Sequence, residues 1–399
     1  MICIKCGRKN KKGAKFCNSC GAIMEQDHEG VITTGSIESS SSTVSYTLPA
    51  KAAKKKPPLR IILAIAIPVI VIVLATGFIL PLLNAPDETE KPARLYPQEL
   101  DDRYIVKIVS GVSFSVALDD RGDLYIWGTE CNADIDGYSD YILNIPQHIK
   151  DAYIVDVEAG RRHVIAVDNQ GYFYGWGFNG HEQLTIPDYV NQEMAYDGFT
   201  RITGMAAMTR WSAIMGDNGY VYLWGSMSAE QLLSALYQAD RASAMAAGEN
   251  HIVLIQRDGT IFVAGQPGMA VVDRIPDRLT DGSVKVVAIT ATDRNALALD
   301  DTGRLWVWGS PEYGLNKIPT FSGNVTAISG GYENFVVVTD EGEIIIWGSD
   351  ELNQLEIPEN LTGKGTGAVM VYSDYIMFYA VDSSGNILGA WGTQGEAVQ

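Results

Sequence analysis

Four cysteines near the N-terminus have the spacing of a metal site. They follow the pattern C-x2-C-x10-C-x2-C and are Cys3, Cys6, Cys17 and Cys20. Each C-x-x-C pair makes a tight turn that directs two thiolates to one point, so two pairs can supply the four sulfur ligands of a tetrahedral zinc ion. We therefore predict a structural zinc site. Four protein ligands leave no open coordination position, so this metal is not expected to catalyse a reaction.

Residues 1–24 resemble the short zinc ribbon found at the N-terminus of many bacterial membrane proteins. A segment of this length has no hydrophobic core of its own, so the zinc would hold its fold together. A redox C-x-x-C pair is the alternative, although two pairs at this spacing are not typical of a thioredoxin-like protein. The fifth cysteine, Cys131, is alone in the rest of the chain and is expected to be an inert thiol.

A polar linker leads from the ribbon to an apolar segment. Residues 25–58 are rich in Ser and Thr and end in a Lys-rich stretch, which is typical of a flexible tether. Residues 61–83 carry no charge, and a helix of this length would measure about 34 Å, enough to cross a bilayer core of about 30 Å. We predict a transmembrane helix at residues 59–83 and a second linker at 84–92. A buried soluble helix and a cleaved signal peptide are the alternatives, and the length and position of the run disfavour both.

The apolar segment separates a basic head from an acidic body. Residues 1–60 contain 11 Lys and Arg against 4 Asp and Glu, whereas residues 61–399 contain 19 against 44. The positive-inside rule then places the N-terminus in the cytoplasm and the body outside the plasma membrane. The net charge of −18 argues against a nucleic-acid partner, because phosphate contacts need clustered Lys and Arg. Most of the acidic residues are expected only to keep the body soluble.

The body, residues 93–399, repeats one pattern seven times. Each repeat has two hydrophobic segments joined by a turn glycine and ends in Trp-Gly, or in Ala-Gly in the fourth repeat. Steps of 39 to 49 residues are typical of repeat proteins whose units pack only against their neighbours. The repeats end at Trp127, Trp176, Trp224, Ala264, Trp308, Trp347 and Trp391. Their turn glycines, where hairpins favour a positive φ, are Gly122, Gly171, Gly219, Gly259, Gly303, Gly342 and Gly385.

The repeats predict an all-β fold, a seven-bladed β-propeller. Ile-Pro often follows Trp-Gly, as at Ile145-Pro146, and proline belongs on an edge strand, so we expect it on the outer strand of a four-stranded unit. Four-stranded units repeated around an axis form a closed propeller. Residues 93–100 resemble residues 355–361, so the N-terminal segment is expected to complete blade seven and close the ring.

Three phrases resemble the regulator of chromosome condensation (RCC1) repeat family, in particular its short-repeat bacterial members. They are Gly160-Arg-Arg-His163, Gly248-Glu-Asn-His251 and Gln183-Leu-Thr-Ile-Pro187. The resemblance covers about residues 93–392, and it implies a propeller that binds proteins through the loops between the first and second strands. Histidine occupies only two of the seven equivalent positions, so these positions are expected to pack or to bond the backbone rather than to bind a ligand.

The same loops carry the candidate partner-binding residues. Arginine and aromatic side chains contribute strongly to protein interfaces, and here they stand out because the body is otherwise acidic. The predicted partner-binding residues are Arg161, Arg162, Arg210, Trp211, Arg294 and Tyr332. Ordinary solvated loop residues are the alternative interpretation. The expected partner is an extracellular protein or a cell-wall component.

Three functions are compatible with this organisation. The first is a membrane-anchored surface protein whose propeller binds other macromolecules. The second is a transmembrane signalling or regulatory protein that couples propeller occupancy to a cytosolic partner of the zinc ribbon. An exported enzyme is less favoured, because the four histidines of the body lie in different blades or loops and neither Gly-x-Ser-x-Gly nor a phosphate-binding glycine loop occurs.

Overall fold

The structure, a computed structural model, describes residues 94–129, 142–226, 236 and 239–392. The predicted zinc ribbon, its linker and the predicted membrane helix at residues 59–83 lie outside these residues. Within the described part of the chain, no helix is long and apolar enough to cross a membrane.

The described residues form 21 strands in seven antiparallel sheets of three, each sheet being one blade. Blades one to three are β1–β3 (Ile105–Ser110, Phe114–Asp119, Leu124–Gly128), β4–β6 (Ile154–Ala159, His163–Asp168, Phe173–Gly177) and β7–β9 (Ile202–Ala207, Trp211–Gly216, Val221–Gly225). Blades four and five are β10–β12 (Ala242–Gly248, His251–Gln256, Ile261–Gly265) and β13–β15 (Val286–Ala291, Asn295–Asp300, Leu305–Gly309). Blades six and seven are β16–β18 (Val325–Gly330, Asn334–Thr339, Ile344–Gly348) and β19–β21 (Ala368–Asp374, Met377–Asp382, Ile387–Gly392).

The hydrophobic core lies between the blades. The middle strand of a blade is buried on both faces, and in blades two and six it reads His-Val-Ile-Ala-Val-Asp and Asn-Phe-Val-Val-Val-Thr. The buried apolar side chains group into seven clusters, each made by two neighbouring blades. One blade therefore cannot bury its surface alone, as expected of a repeat protein.

The seven blades close into a ring. Each first strand contacts the first strand of the next blade, and β19 of blade seven contacts β1 of blade one. At this junction the backbone N–H of Ile105 donates to the carbonyl of Gly385 (2.9 Å). The turn glycine of blade one accepts the same kind of bond, from Ile154 to Gly122 (3.2 Å). The first and last blades are thus joined like blades that are adjacent in sequence.

The tryptophan of each Trp-Gly pair binds the chain segment that precedes its blade in the sequence. In six blades its indole N–H donates to a backbone carbonyl of that segment, at 2.9 to 3.2 Å. In blade one Trp127 donates to Leu95 (2.9 Å), so residues 95–100 occupy the junction between blades seven and one. A Cβ on Gly128 would collide with the carbonyl oxygen of Ser113, which explains why glycine follows the tryptophan.

The predicted outer strand is wrong for the described residues, because no sheet has a fourth strand. Proline lacks the N–H that a sheet needs and its fixed φ suits the start of a helix, so the segment turns instead of extending. The third residue after the proline, such as Leu100 or Leu361, is then buried between two blades. The helices are α1 (Gln147–Lys150), α2 (Asp188–Tyr196) and α3 (Ala270–Asp273), with 3-10 turns at Gln98–Leu100, Asp277–Leu279, Glu312–Gly314 and Glu359–Leu361.

Two other predictions about the ring are confirmed. The turn glycines of all seven blades have positive φ, between 73° and 89°. Residues 95–100 close the ring, although they do so with a helical turn and side-chain packing rather than as a strand. The hydroxyl of Tyr96 also donates to the carbonyl of Ile387 in blade seven (3.2 Å).

Candidate partner-binding site

The seven first strands surround a central channel of about 430 Å³. At one end of the channel lie the loops between the first and second strands, and we call this end the loop face. The hairpin turns that contain the seven turn glycines lie at the opposite end, the turn face. The channel mouth on the loop face is lined by Arg161, Arg210, Glu249, Asp293, Tyr332 and Tyr375.

Backbone hydrogen bonds between neighbouring blades hold the loop face together. The N–H of Val112 in blade one donates to the carbonyl of Arg161 in blade two (3.1 Å). The N–H of Asp293 donates to Tyr332 (2.9 Å), and the N–H of Tyr332 donates to Tyr375 (2.7 Å), which links blades five, six and seven. The loops therefore form a braced surface rather than seven independent segments.

The position that carries histidine in blades two and four is buried in every blade. Its occupants are Phe114, His163, Trp211, His251, Asn295, Asn334 and Met377. The prediction that these positions pack or bond the backbone is confirmed, for example by the amide of Asn334, which donates to the carbonyl of Ser349 (2.7 Å). Burial lowers the pKa of His163 to about 3 and the pKa of His251 to about 4, so both imidazoles are neutral at physiological pH.

One of the six predicted partner-binding residues is buried, and a second, Arg162, lies against Phe178. Trp211 is 1% exposed, and its indole N–H donates to the carbonyl of Glu249 in the next blade (2.9 Å). Arg162 is half-buried and its guanidinium lies 5.0 Å from the centre of the Phe178 ring. Trp211 thus positions the loop of Glu249, and it is not a surface that a partner could touch.

The other four predicted residues do meet on the loop face. The guanidinium of Arg161 lies 5.8 Å from the centre of the Tyr375 ring, which belongs to blade seven. Arg210 is exposed. Arg294 is exposed and pairs with Asp293 (3.4 Å) and with Glu312. Tyr332 is 41% exposed.

Tyr375 lies on the same loop face but is not among the six predicted partner-binding residues. Its φ is 50°, in the left-handed region that few residues other than glycine adopt. Its ring lies 5.1 Å from the ring of Tyr332, with 32° between the two planes. Backbone strain of this kind is concentrated at functional sites. The sequence signal that could have identified it is an aromatic residue in a loop of this face, as at Tyr332.

Three half-buried carboxylates surround the tyrosine pair, and sequence reasoning missed these as well. They are Glu249, Asp293 and Glu333, from blades four, five and six. Burial raises the pKa of each, and the nearby arginines only partly oppose the effect. The loop face is therefore a mixture of arginines and carboxylates around two aromatic rings, not a basic patch.

A second group of charges lies deeper in the channel. The ammonium of Lys107 contacts the carboxylates of Asp156 (2.8 Å) and Glu158 in the next blade. Burial alone would lower the pKa of Lys107, but the two carboxylates raise it. These charges brace blade one against blade two. Within the described residues, no group of His, Cys, Asp or Glu is arranged to hold a metal ion.

Family models match two parts of the chain. Residues 2–24 match the zinc-ribbon domain. Residues 154–183 and 286–315 match the RCC1 repeat, so the propeller carries RCC1-type repeats in blades two and five. No curated protein gives a significant sequence match to this chain.

Several solved structures share the fold at low sequence identity. One is the CRINKLY WD40 ectodomain of the Arabidopsis thaliana receptor kinase ACR4, with 15% identity, 74% of this chain and 97% of that chain covered, and a TM-score of 0.52. The ectodomain of the Physcomitrella patens receptor kinase CR4 has 12% identity, with 72% and 73% covered and a TM-score of 0.55. Prp20p of Saccharomyces cerevisiae has 16% identity, with 68% and 80% covered and a TM-score of 0.51.

Proposed function

We propose that the protein is a single-pass membrane protein whose extracellular propeller binds another protein through its loop face. One observation carries the proposal: the tyrosine pair, Tyr332 and Tyr375, is presented at the channel mouth on a braced backbone. Aromatic residues at the centre of a surface contribute strongly to protein interfaces because they bury a large area at a low entropic cost. The fold supports the same role, since Prp20p of Saccharomyces cerevisiae, which shares it, binds Gsp1p and histones.

The proposed topology rests on the sequence. Residues 61–83 are uncharged, and the Lys-rich stretch before them favours a cytoplasmic N-terminus. The zinc ribbon would then lie in the reducing cytosol, which suits the free thiolates of Cys3, Cys6, Cys17 and Cys20. The fold also forms the ectodomain of a receptor kinase in Arabidopsis thaliana, so an extracellular propeller of this kind has a precedent.

The loop-face residues would have different roles in the interface. Tyr332 and Tyr375 supply apolar contact area, and Arg161, Arg210 and Arg294 supply donors at its edge. Arg162 and Trp211 support the loops from beneath. We propose a binding role for this arrangement and no enzymatic reaction.

The test is affinity capture from a native surface extract with the full-length chain in detergent, followed by mass spectrometry. The informative variant is Tyr332→Ala, and the control is Tyr196→Ala, because Tyr196 is 92% exposed at the end of α2 and lies outside the loop face. A protein retained by the wild type and by the control, but lost by Tyr332→Ala, supports the proposal. Equal retention by all three would show that the loop face is not the binding surface.

A signalling role is the second candidate function, and the zinc-ribbon match at residues 2–24 favours it. In that case the ribbon would pass the occupancy of the propeller to a cytosolic partner. Deleting residues 1–24 while keeping the anchor and propeller would abolish the cellular response but not capture of the extracellular partner. A response that survives the deletion would exclude this role.

A further inference from the structure

We propose that the channel mouth is a subsite for a basic side chain, a lysine or an arginine, which a protein partner inserts beside the tyrosine pair and the carboxylates of Glu249 and Asp293. The inference rests on the proposed function, because it names the chemistry of the partner at the same face. It assigns the main recognition role to the tyrosines and carboxylates instead of the arginines.

The first argument is the placement of Tyr375. Its hydroxyl is influenced electrostatically by Arg161 of blade two and by Glu249, Asp293 and Glu333 of blades four to six, so the ring is close to charges from most of the circumference. The backbone that carries this ring has a left-handed φ of 50°. The face of a tyrosine ring attracts a cation within about 6 Å of its centre.

The second argument is that the site already binds a cation. The guanidinium of Arg161 reaches from blade two past blade one to the Tyr375 ring of blade seven, 5.8 Å away. The loop of blade one, Gly111, Val112 and Ser113, has no large side chain that would block this contact. Arg161 therefore demonstrates that the mouth accommodates a basic side chain, while Tyr332 beside it remains 41% exposed.

The third argument is the burial of the carboxylates and its effect on their ionisation. The side chain of Asp293 is only 12% exposed, and burial raises its pKa and that of Glu249. The guanidinium that pairs with Asp293, from Arg294, is shared with the exposed Glu312. An incoming cation would stabilise the ionised form of both buried carboxylates, and this gain would favour binding.

The charge of the body supports a basic partner. Residues 61–399 contain 44 acidic and 19 basic residues, and a field of this sign attracts positively charged proteins and increases their rate of association. At the channel mouth, carboxylates and the two tyrosine rings line one concave surface of this acidic body. The general electrostatic attraction of the acidic body would therefore bring a basic partner to a defined site, the channel mouth.

The test uses the full-length chain in detergent and acetyl-octalysine-amide as the probe, with binding measured by calorimetry at about 0.15 M salt. The informative variant is Glu249→Gln with Asp293→Asn. The control is Asp120→Asn with Asp301→Asn, which removes the same charge from exposed positions on the turn face. The mouth variant is expected to weaken binding by about tenfold or more, and the control by less than about twofold. Equal weakening by the two variants would show that the peptide binds only through the general charge, and would overturn the proposal.

A second variant should change the affinity for octalysine in the opposite direction. Arg161→Met removes the internal cation, so octalysine should bind several-fold more tightly. If the arginines were themselves the recognition groups, removal of Arg161 would not strengthen binding, and that result would also overturn the proposal. Tyr375→Gly removes the ring without loss of folding, because glycine readily adopts the left-handed conformation, and it should weaken binding like the mouth variant.

Failure of this inference can be distinguished from failure of the proposed function. If octalysine binding is insensitive to the mouth variants but capture of the protein partner still requires Tyr332, the inference fails and the proposed function remains. If octalysine binds at the mouth and no partner depends on Tyr332, the proposed function fails and the cation subsite remains.

Discussion

The imidazole Nε2 of His163 in blade two lies 3.0 Å from the hydroxyl oxygen of Ser212 in blade three. Both side chains are fully buried, so this bond joins the two blades inside the core. His251 holds the same position in blade four, but the residue of blade five that is equivalent to Ser212 is Ala296. The two are equivalent because each pairs, across the sheet, with the tryptophan of the Trp-Gly pair in its own blade. Within the described residues, neither ring nitrogen of His251 has a hydrogen-bond partner.

Ser212→Ala should destabilise the propeller. The change removes the partner of a buried imidazole, and an unsatisfied buried polar group costs about 1–3 kcal/mol. Urea unfolding of the full-length chain should show a lower midpoint with an unchanged slope. Ser243→Ala, at an exposed position of blade four, is the control and should have little effect. An unchanged midpoint for Ser212→Ala would show that the His163 bond contributes nothing net.

Ala296→Ser should have the opposite effect. A hydroxyl at this position would face the unpaired imidazole of His251 as Ser212 faces His163, and a buried hydrogen bond contributes about 1 kcal/mol. The unfolding midpoint should rise in the variant and should return to the wild-type value when His251→Asn is added. A lower midpoint for Ala296→Ser alone would show that the site has no room for the hydroxyl.

Stability should fall as the pH is lowered from 7 towards 4. The pKa values of His163 and His251 are lowered by burial to about 3 and about 4, while an unfolded histidine has a pKa of about 6.5. Between these values the unfolded chain binds protons that the native protein does not, so acid favours unfolding by about 2 kcal/mol for each histidine at about pH 5. The variant His251→Asn, which introduces the residue found in blades five and six, should remove the contribution of His251, about 2 kcal/mol, from the difference in unfolding free energy between pH 7 and pH 5. Identical pH profiles would show that His251 is not buried in the neutral form.

Leu100→Ala and Leu361→Ala should cost similar amounts of stability. The two leucines follow Pro97 and Pro358 at the same position of equivalent turns, and each is 1% exposed between two blades. Truncating a buried leucine to alanine costs about 2–5 kcal/mol. Thermal unfolding should show comparable decreases in Tm. A much smaller decrease for Leu100→Ala would indicate that the junction between blades seven and one is looser than the other six.

The N-terminal cysteines should bind one zinc ion per chain. Elemental analysis of the purified full-length protein should find this stoichiometry, and Cys3→Ser with Cys6→Ser should abolish it, because two of the four ligands are removed. The chelated or mutated protein should keep the unfolding transition of the propeller. A metal content that survives the double substitution would exclude the predicted ligand set.

The sequence predicts the number of blades and their hairpins well, because both depend on local chemistry. Trp-Gly recurs since the indole must reach a neighbouring carbonyl and the next residue has no room for a Cβ, as at Trp127 and Gly128. The turn glycines recur since the hairpins need a positive φ. These requirements act on single positions and leave a readable pattern.

The outer part of each blade was not predictable in the same way. An Ile-Pro pair is compatible with an edge strand and with the start of a helical turn, and the burial of a residue such as Leu361 between two blades decides between them. That burial is a tertiary contact, which a local pattern does not encode.

The candidate site was only partly predictable for a related reason. Loop position placed Arg161, Arg210 and Tyr332 at the channel mouth, but it could not distinguish the exposed Tyr332 from the buried Trp211. It also left Asp293 and Tyr375 out of the predicted set, because their importance comes from neighbours contributed by other blades.

The way in which residues 95–100 close the ring has a mechanical consequence. Residues 95–100 are where the chain enters the propeller, and the same residues close the junction between blades seven and one. Tension on that chain therefore acts first on the Trp127–Leu95 hydrogen bond and on the buried side chain of Leu100, before it reaches the strand β1. The N-terminal end of the propeller is therefore also the junction at which a pulling force would begin to open the ring.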